Sequence, residues 1–313
     1  MRAALTWLLQ RADDGHEDDG VLALRLASAL GRFWYRHGHA VEGSGWLERA
    51  VTTAVGAPEE LRASGLRLLG VLMEVQRRFD RASELFEEAL VSFRQRGDRT
   101  GEAACLNSLG IVARSRGDFE TAQELMAASV AIRREIGDVE IPAGLSNLGI
   151  VYLDQGDLGR AQQLFEEAIG LDRQRGDAWG AACTTIGIGV VHLERGDVVA
   201  ARSVIQGALL ELDELGDLDA AAECIEALAG VAAREGLMTR AARLAGAVDA
   251  LRRDLGIPPA PPDRARLERW LEGAVAELGG QGFETAWAEG AEMTADQAIN
   301  HALERSTSLT EAG

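Results

Sequence analysis

The sequence predicts an all-α fold: a right-handed superhelical solenoid of about six helix hairpins, closed by a small C-terminal helical cap. Three observations lead there. Glycines return in two interleaved series, Gly117, Gly156, Gly196, Gly236 and Gly97, Gly137, Gly176, Gly216, Gly256, each with a period of 39 to 40 residues. A fixed period of this size is the mark of a repeat architecture. Between the glycines, apolar residues recur at three- and four-residue steps, the spacing of a helix face. The composition agrees: 47% hydrophobic, dominated by Leu and Ala, with 5% aromatic residues, is a helix-forming mixture.

Residues 1–19 form an N-terminal helix and an acidic loop. The stretch MRAALTWLLQRADD is amphipathic and carries no apolar core followed by a small-residue cleavage site. The following DDGHEDD, Asp13 to Asp19, gathers carboxylates around His16. No metal-ligand spacing is present, so the segment reads as a solvated connection.

The repeats span 20–257, as copies at 20–58, 59–98, 99–138, 139–177, 178–217 and 218–257. Each holds two helices, for example Glu102–Arg116 and Phe119–Ile136. Gly-Asp punctuates the joints, and Arg-Gly-Asp occurs four times, at Arg96–Asp98, Arg116–Asp118, Arg175–Asp177 and Arg195–Asp197. Taken as an adhesion ligand, one copy would suffice. Taken as punctuation, Arg favours the helix C-terminal dipole, Gly supplies the left-handed stop and Asp caps the next helix.

Five registered positions sharpen the repeat. A small residue sits in mid-first-helix at Gly70, Gly110, Gly149, Gly189 and Ala229. A large aliphatic residue precedes each: Leu69, Leu109, Leu148, Ile188 and Leu228. An alanine follows about twelve residues later at Ala82, Ala122, Ala161, Ala201 and Ala241. Four further on stand Phe86, Met126, Phe165, Ile205 and Ala245, then a second, mostly small, position at Ala89, Ser129, Ala168, Ala208 and Val248. Small residues here let two antiparallel helices approach closely. This register resembles the tetratricopeptide repeat, with Tyr152 matching its tyrosine. The period of 40 exceeds the usual 34 and the terminal proline of that repeat is missing, so the likeness is to a longer subclass with extended helices.

Residues 258–313 form a Pro-rich turn, IPPAPPD, and a C-terminal cap of short helices at Arg264–Leu278, Phe283–Glu292 and Thr294–Leu303. The N-terminal ALRLASALGRFWYRHGHAVEGSGWLERAV brings aromatic residues to the other end, where Phe33, Trp34 and Trp46 would close the core. The start RAALTWLL, the stretch RLAGAVDALRR, the proline turn and AWAEG followed by MTADQA resemble the C-terminal repeat and sensor region of large actinobacterial regulators of the MalT/LuxR and SARP types. That resemblance implies a part in transcription regulation or signalling.

Composition excludes several activities. The formal net charge is −18 and no lysine occurs. A phosphate loop needs its lysine, and a chain this acidic does not track a nucleic-acid backbone. No apolar run is long enough to span a bilayer. Cys105, Cys183 and Cys224 stand singly, in keeping with a reducing, cytoplasmic setting. No cofactor or metal is implied. His192 and Cys183 lie nine residues apart, off a common helix face, so no catalytic set assembles and the chain is expected not to be an enzyme.

The expected function is non-enzymatic recognition of a protein or peptide in a groove. A small-molecule effector bound in an apolar pocket, with Val71, Ile111, Ile150 and Val190 as lining, is the alternative. An enzyme whose site leaves no trace in the sequence is a third. In the tetratricopeptide pattern the groove is lined by four positions of each first helix. Here they include Arg25, Ser28, Arg32 and Tyr35; Ser64, Arg67, Val71 and Glu74; Asn107, Ile111 and Arg114; then Ser146, Ile150 and Leu153; and Ile186 and Val190. The N-terminal half holds arginines able to fork onto an acidic group. The later half is apolar and is expected to take hydrophobic side chains of the ligand. The competing expectation is that the arginines pair with Glu74 and its acidic neighbours.

Overall fold

The computed structural model describes residues 1–36 and 38–304. Among these there are fifteen α-helices and no strand. After α1 (Arg2–Asp13) come six hairpins: α2 (Glu17–Arg36) with α3 (Ala40–Thr53), α4 (Glu59–Val75) with α5 (Phe79–Arg96), and α6 (Arg99–Ser115) with α7 (Phe119–Ile136). The series continues with α8 (Ile141–Asp154) and α9 (Leu158–Arg175), α10 (Ala178–Glu194) and α11 (Val198–Glu214), and α12 (Leu218–Arg234) and α13 (Met238–Leu255). Two further helices, α14 (Pro261–Ala291) and α15 (Ala295–Ala302), follow.

The joints are built as punctuation. Gly97, Gly137, Gly176 and Gly256 end their helices in the left-handed region, where a Cβ would be strained. The Asp98 carboxylate accepts from the Gly101 amide at 2.8 Å and Asp118 from Thr121 at 3.1 Å. Asp157, Asp177, Asp197 and Asp217 repeat the arrangement at 2.8–3.2 Å. All four Arg-Gly-Asp copies are thus a helix end, a stop and a cap in series. Glu17, Asp18 and Asp19 lie in the first turn of α2, where carboxylates favour the dipole. The expected acidic loop is therefore shorter, and two of its acids meet arginines: Asp19 with Arg11 at 2.6 Å and Asp13 with Arg49 at 3.4 Å.

The small-residue register explains how each hairpin closes. A Cβ on Gly70 would lie 2.6 Å from the Phe86 ring, and one on Gly149 equally close to Phe165. Gly110 faces Met126 and Gly189 faces Ile205 in the same way. Ala82, Ala122, Ala161, Ala201 and Ala241 are fully buried. The large residue of the second helix thus plugs a socket left by the missing side chain of the first.

The contacts divide the chain into two compact units, Met1–Gly144 and Leu145–Gly313, each with its own hydrophobic cluster. One runs from Leu5 to Ile132 and the other from Leu153 to Ala302. The division falls inside α8. In the first unit α2 lies against α4 and α4 against α6, while α3, α5 and α7 keep further apart. In the second unit α10 lies against α12 and α12 against α14, while α9, α11 and α13 keep apart. Within each unit the first helices therefore line the tighter, inner side.

The C-terminal segment has the three short helices expected, the first two joined end to end. α14 runs from Pro261 to Ala291 with a break at Gly279 (φ 69°, ψ 166°). Its second half crosses α13 so closely that a Cβ on Gly246 would strike the Trp287 carbonyl, and one on Gly290 the Arg243 carbonyl. Thr294 caps α15 in a reciprocal capping box with Gln297. Residues 305–313 of the expected cap lie outside the described residues.

Candidate functional site

The inner face of the first unit is built from α2, α4 and α6. Arg25 and Arg32 are exposed on α2, Ser28 is half-buried between them and Tyr35 is 46% exposed. Ser64, Arg67, Val71 and Glu74 on α4 are half-buried, as are Asn107 and Ile111 on α6; Arg114 is buried. Neighbouring groups engage Tyr35, Asn107 and Arg114.

Arg67 differs from most arginines of the chain. Those at the surface, such as Arg99 and Arg116, reach carboxylates at 2.6–2.7 Å. Among the described residues Arg25, Arg32 and Arg67 make no ion pair. Burial lowers the Arg67 pKa; Cys105 and Glu140 oppose that shift and Arg133 adds to it. Arg133 is itself held by Asp138 at 3.2 Å. The expected internal pairing of groove arginines with Glu74 is absent: Glu74 forms no ion pair among the described residues, and burial pushes its carboxyl up to about 7 against the pull of Arg77. The Ser28 hydroxyl also lacks a hydrogen-bond partner there.

In the second unit the expected apolar lining is not open. Ser146 and Ile150 are half-buried, but Leu153, Ile186 and Val190 are buried at 5–7% exposure. Residues 261–278, the first half of α14, share their hydrophobic cluster. Trp270 stacks over Gly230 and Leu193: a Cβ on Gly230 would lie 2.6 Å from the Trp270 ring and 2.9 Å from Leu193 Cδ2. Its Nε1 donates to Glu194 at 2.9 Å. Arg266 reaches Asp154 of α8 at 2.9 Å. Leu267, Leu271 and Ala274 complete the buried stripe. Leu153, Ile186 and Val190, the expected apolar half of a ligand groove, are thus buried in the same cluster as this amphipathic helix of the chain itself.

The repeat pattern does not mark the residues that hold this helix. Asp154 and Glu194 are the last residues of α8 and α10, 40 positions apart. A carboxylate there opposes the helix dipole, and that violation is the signal that a donor from elsewhere is needed. α12 adds Asp219, Glu223 and Glu226 to the same inner face. Glu226 pairs with Arg252. Glu223, without an ion pair among the described residues, has its carboxyl pushed up to about 7, chiefly by desolvation from the surrounding helices and then by Asp219. Asp219 is raised for the same first reason, with Asp217 adding.

Residues 61–135 and 145–178 each match a family model described as tetratricopeptide repeat. These two stretches thus carry tetratricopeptide repeats. No curated protein matches the sequence. Among solved structures, BtubC (BKLC) from P. vanneervenii is 19% identical with a TM-score of 0.56, covering 69% of this chain and 91% of that one. Aspartyl phosphate phosphatase F from Bacillus subtilis is 11% identical with a TM-score of 0.62, covering 92% and 75%. The Rap conjugation gene regulator of the plasmid pLS20, in complex with a Phr peptide, is 12% identical with a TM-score of 0.53, covering 91% and 94%. These likenesses describe a TPR-like helical fold. No helix among the described residues is long and apolar enough to cross a membrane.

Proposed function

We propose that the chain is a non-enzymatic recognition module whose first unit binds an acidic peptide segment of a partner protein. The observation that carries this reading is Arg67, a half-buried guanidinium with no ion pair among the described residues, on the same inner face as Arg25 and Arg32. Withdrawing a charge from water without pairing it is costly, and a carboxylate delivered by a ligand removes that cost. The Rap conjugation gene regulator, similar in fold, is itself a peptide complex. The resemblance of both chain ends to actinobacterial MalT/LuxR and SARP regulators supports a sensor or interaction part in a bacterial signalling or transcription-regulatory system. The three free cysteines suit a cytoplasmic setting.

The test is titration of a fluorescein-labelled Glu-rich helical peptide, with its Gln counterpart as control, by fluorescence anisotropy. Binding of the Glu peptide should weaken at least about tenfold in Arg67→Glu and fall with added salt. Equal affinity of the wild type and Arg67→Glu, or of the Glu and Gln peptides, would overturn the reading.

A second reading, a small-molecule effector, rests on a cavity of about 410 Å³ lined by Arg2, Leu5, Phe33, Trp34, His39, Glu42 and Trp46 among others. It lies away from the Val71, Ile111, Ile150 and Val190 series. Arg2 bonds to Glu42 at 2.6 Å, and with Trp46 it holds that carboxyl down at about 2. An ionised carboxylate among aromatic faces suits an organic cation. Isothermal titration with tetramethylammonium and with guanidinium tests it: heat lost in Trp46→Ala supports the site, and no heat with the wild type removes it.

A further inference from the structure

We propose that the inner face of the second unit is a helix-binding groove, occupied in cis by residues 261–278, and that a partner's basic amphipathic helix binds there by displacing them. This inference does not rest on the acidic-peptide reading of the first unit.

The helix is seated as a ligand would be. Its inward stripe, half-buried Asp263 and Arg266 with buried Leu267, Trp270, Leu271 and Ala274, follows the i, i+3, i+4, i+7 spacing by which a helix lies in a groove. It reaches past its sequence neighbour α13 and past α12. Trp270 contacts Glu194 at the end of α10, and Arg266 contacts Asp154 at the end of α8, 112 residues away. The Arg266 and Asp154 side chains are 11% and 4% exposed, so the pair is sealed from water. The Arg266 guanidinium also lies 5.8 Å from the Trp270 ring centroid. The floor beneath the indole is a glycine, Gly230, at a groove position filled by Val71, Ile111, Ile150 and Val190 in earlier repeats.

Both ends of this half-helix are jointed. Gly279 breaks α14 with a positive φ, and Gly280 adds no Cβ contact. Ahead of the half-helix the helical run is interrupted at 257–260, which holds Pro258 and Pro259, and Pro261 and Pro262 are its own first residues. Beyond the break, the second half of α14 stays clamped to α13 through Gly246 and Gly290. Residues 261–278 can therefore leave the groove without loosening their anchor.

The choice of partner follows from charge. An emptied groove would present apolar Leu153, Val190 and Leu193 beneath a rim of Asp154, Glu194, Asp219 and Glu223. Residues 261–278 meet this rim imperfectly, since they bring Asp263 into the field of Glu223, where like charges repel. Arg266, which also bonds to Asp263, and Arg252, which faces Glu223, offset it in part. A helix with Arg and an aromatic residue four apart, and a cation in place of Asp263, matches every group that the internal helix satisfies and one that it opposes. The resident segment acts as a competitor that sets a threshold for the true partner.

The experiment uses the full chain and a labelled synthetic peptide of sequence 261–278 carrying Asp263→Lys. The chain bearing Arg266→Ala and Trp270→Ala should bind this peptide at least tenfold tighter than the wild type does. The same peptide with its own Arg and Trp replaced by Ala should not bind. A double variant that keeps its helical circular dichroism and binds no peptide overturns the proposal. Hydrogen exchange on the wild type provides the second measurement, independent of how the variant folds. Residues 261–278 should exchange as one block at least tenfold faster than α12 and α13, and faster still with excess peptide. Protection equal to that of α12 would mean a fixed core helix and sink the idea.

Discussion

The two units use one repeat frame to make opposite inner faces. In the first, α2, α4 and α6 present Arg25, Arg32 and Arg67, and the positions that end α4 and α6 are Val75 and Ser115. In the second, the corresponding helix ends are Asp154 and Glu194, and α12 contributes Asp219 and Glu223. A few substitutions at fixed positions turn a cationic face into an acid-rimmed one, while the Gly and Ala sockets that close the hairpins do not change. The groove also differs in state. Val71 and Ile111 remain half-exposed, whereas Val190 and Leu193 are sealed beneath Trp270. The frame sets the shape of the surface, and only the positions outside the packing register decide what it meets.

The largest effect that could break this comparison is truncation of the internal occupant. Trp270→Ala should cost about 3–5 kcal/mol by urea unfolding, because it empties a buried ring site. Val71→Ala, on the open face of the first unit, should cost about 1 kcal/mol. Similar costs for the two would mean that their burial does not differ as described.

Each unit also carries a carboxyl raised to about 7, Glu74 and Glu223. The folded chain holds these protons up to about 7, whereas the unfolded chain releases them near 4.5. The contribution to stability is thus full below the lower value, falls as pH rises between the two, and stays low above about 7. Glu74→Gln removes the slope. Its melting temperature should exceed that of the wild type at pH 8 and match it near pH 4. A constant offset across that range would show that Glu74 titrates normally.

A joint common to both units should give a smaller, uniform effect. Asp98→Ala removes the carboxylate that accepts from Gly101 and should cost roughly 0.5–2 kcal/mol. Asp177→Ala, its counterpart in the second unit, should cost the same by thermal melting. A cap of much greater worth in one unit would mean that the joints are not equivalent. The smallest effect concerns Arg67. Arg67→Met should stabilise the first unit by less than about 1 kcal/mol, as binding residues often oppose stability, while abolishing capture of the acidic peptide. A clear loss of stability would mean that Arg67 serves the fold.

The hairpins were legible because their signals are local. A glycine and an aspartate end one helix and start the next within three residues, and the socket at Gly149 answers Phe165 only sixteen residues on. The path of 261–278 was not, because the Arg266–Asp154 contact joins residues 112 apart and leaves no periodic trace. Apolar Leu153, Ile186 and Val190 read equally well as a ligand surface or as the seat of another helix. Asp154 and Glu194, acids set against a helix dipole, were the available hint. Gly279 was legible: it separates two helices, as its φ of 69° and ψ of 166° show. The division inside α8 had no marker at all, since the glycine period passes through it unbroken.

The Gly-Asp joints carry a consequence for how such a chain can change over time. Each joint is complete within itself: the glycine stops one helix, the aspartate starts the next, and neither side chain depends on the repeat beyond. The chain is a row of interchangeable cassettes of 39 to 40 residues with the same connectors at both ends. A genetic crossover between two of these joints in the same series removes or duplicates a whole cassette and keeps the aspartate caps at its junction. Length can therefore drift by units of one hairpin, while the binding character of each inner face changes separately through point substitutions.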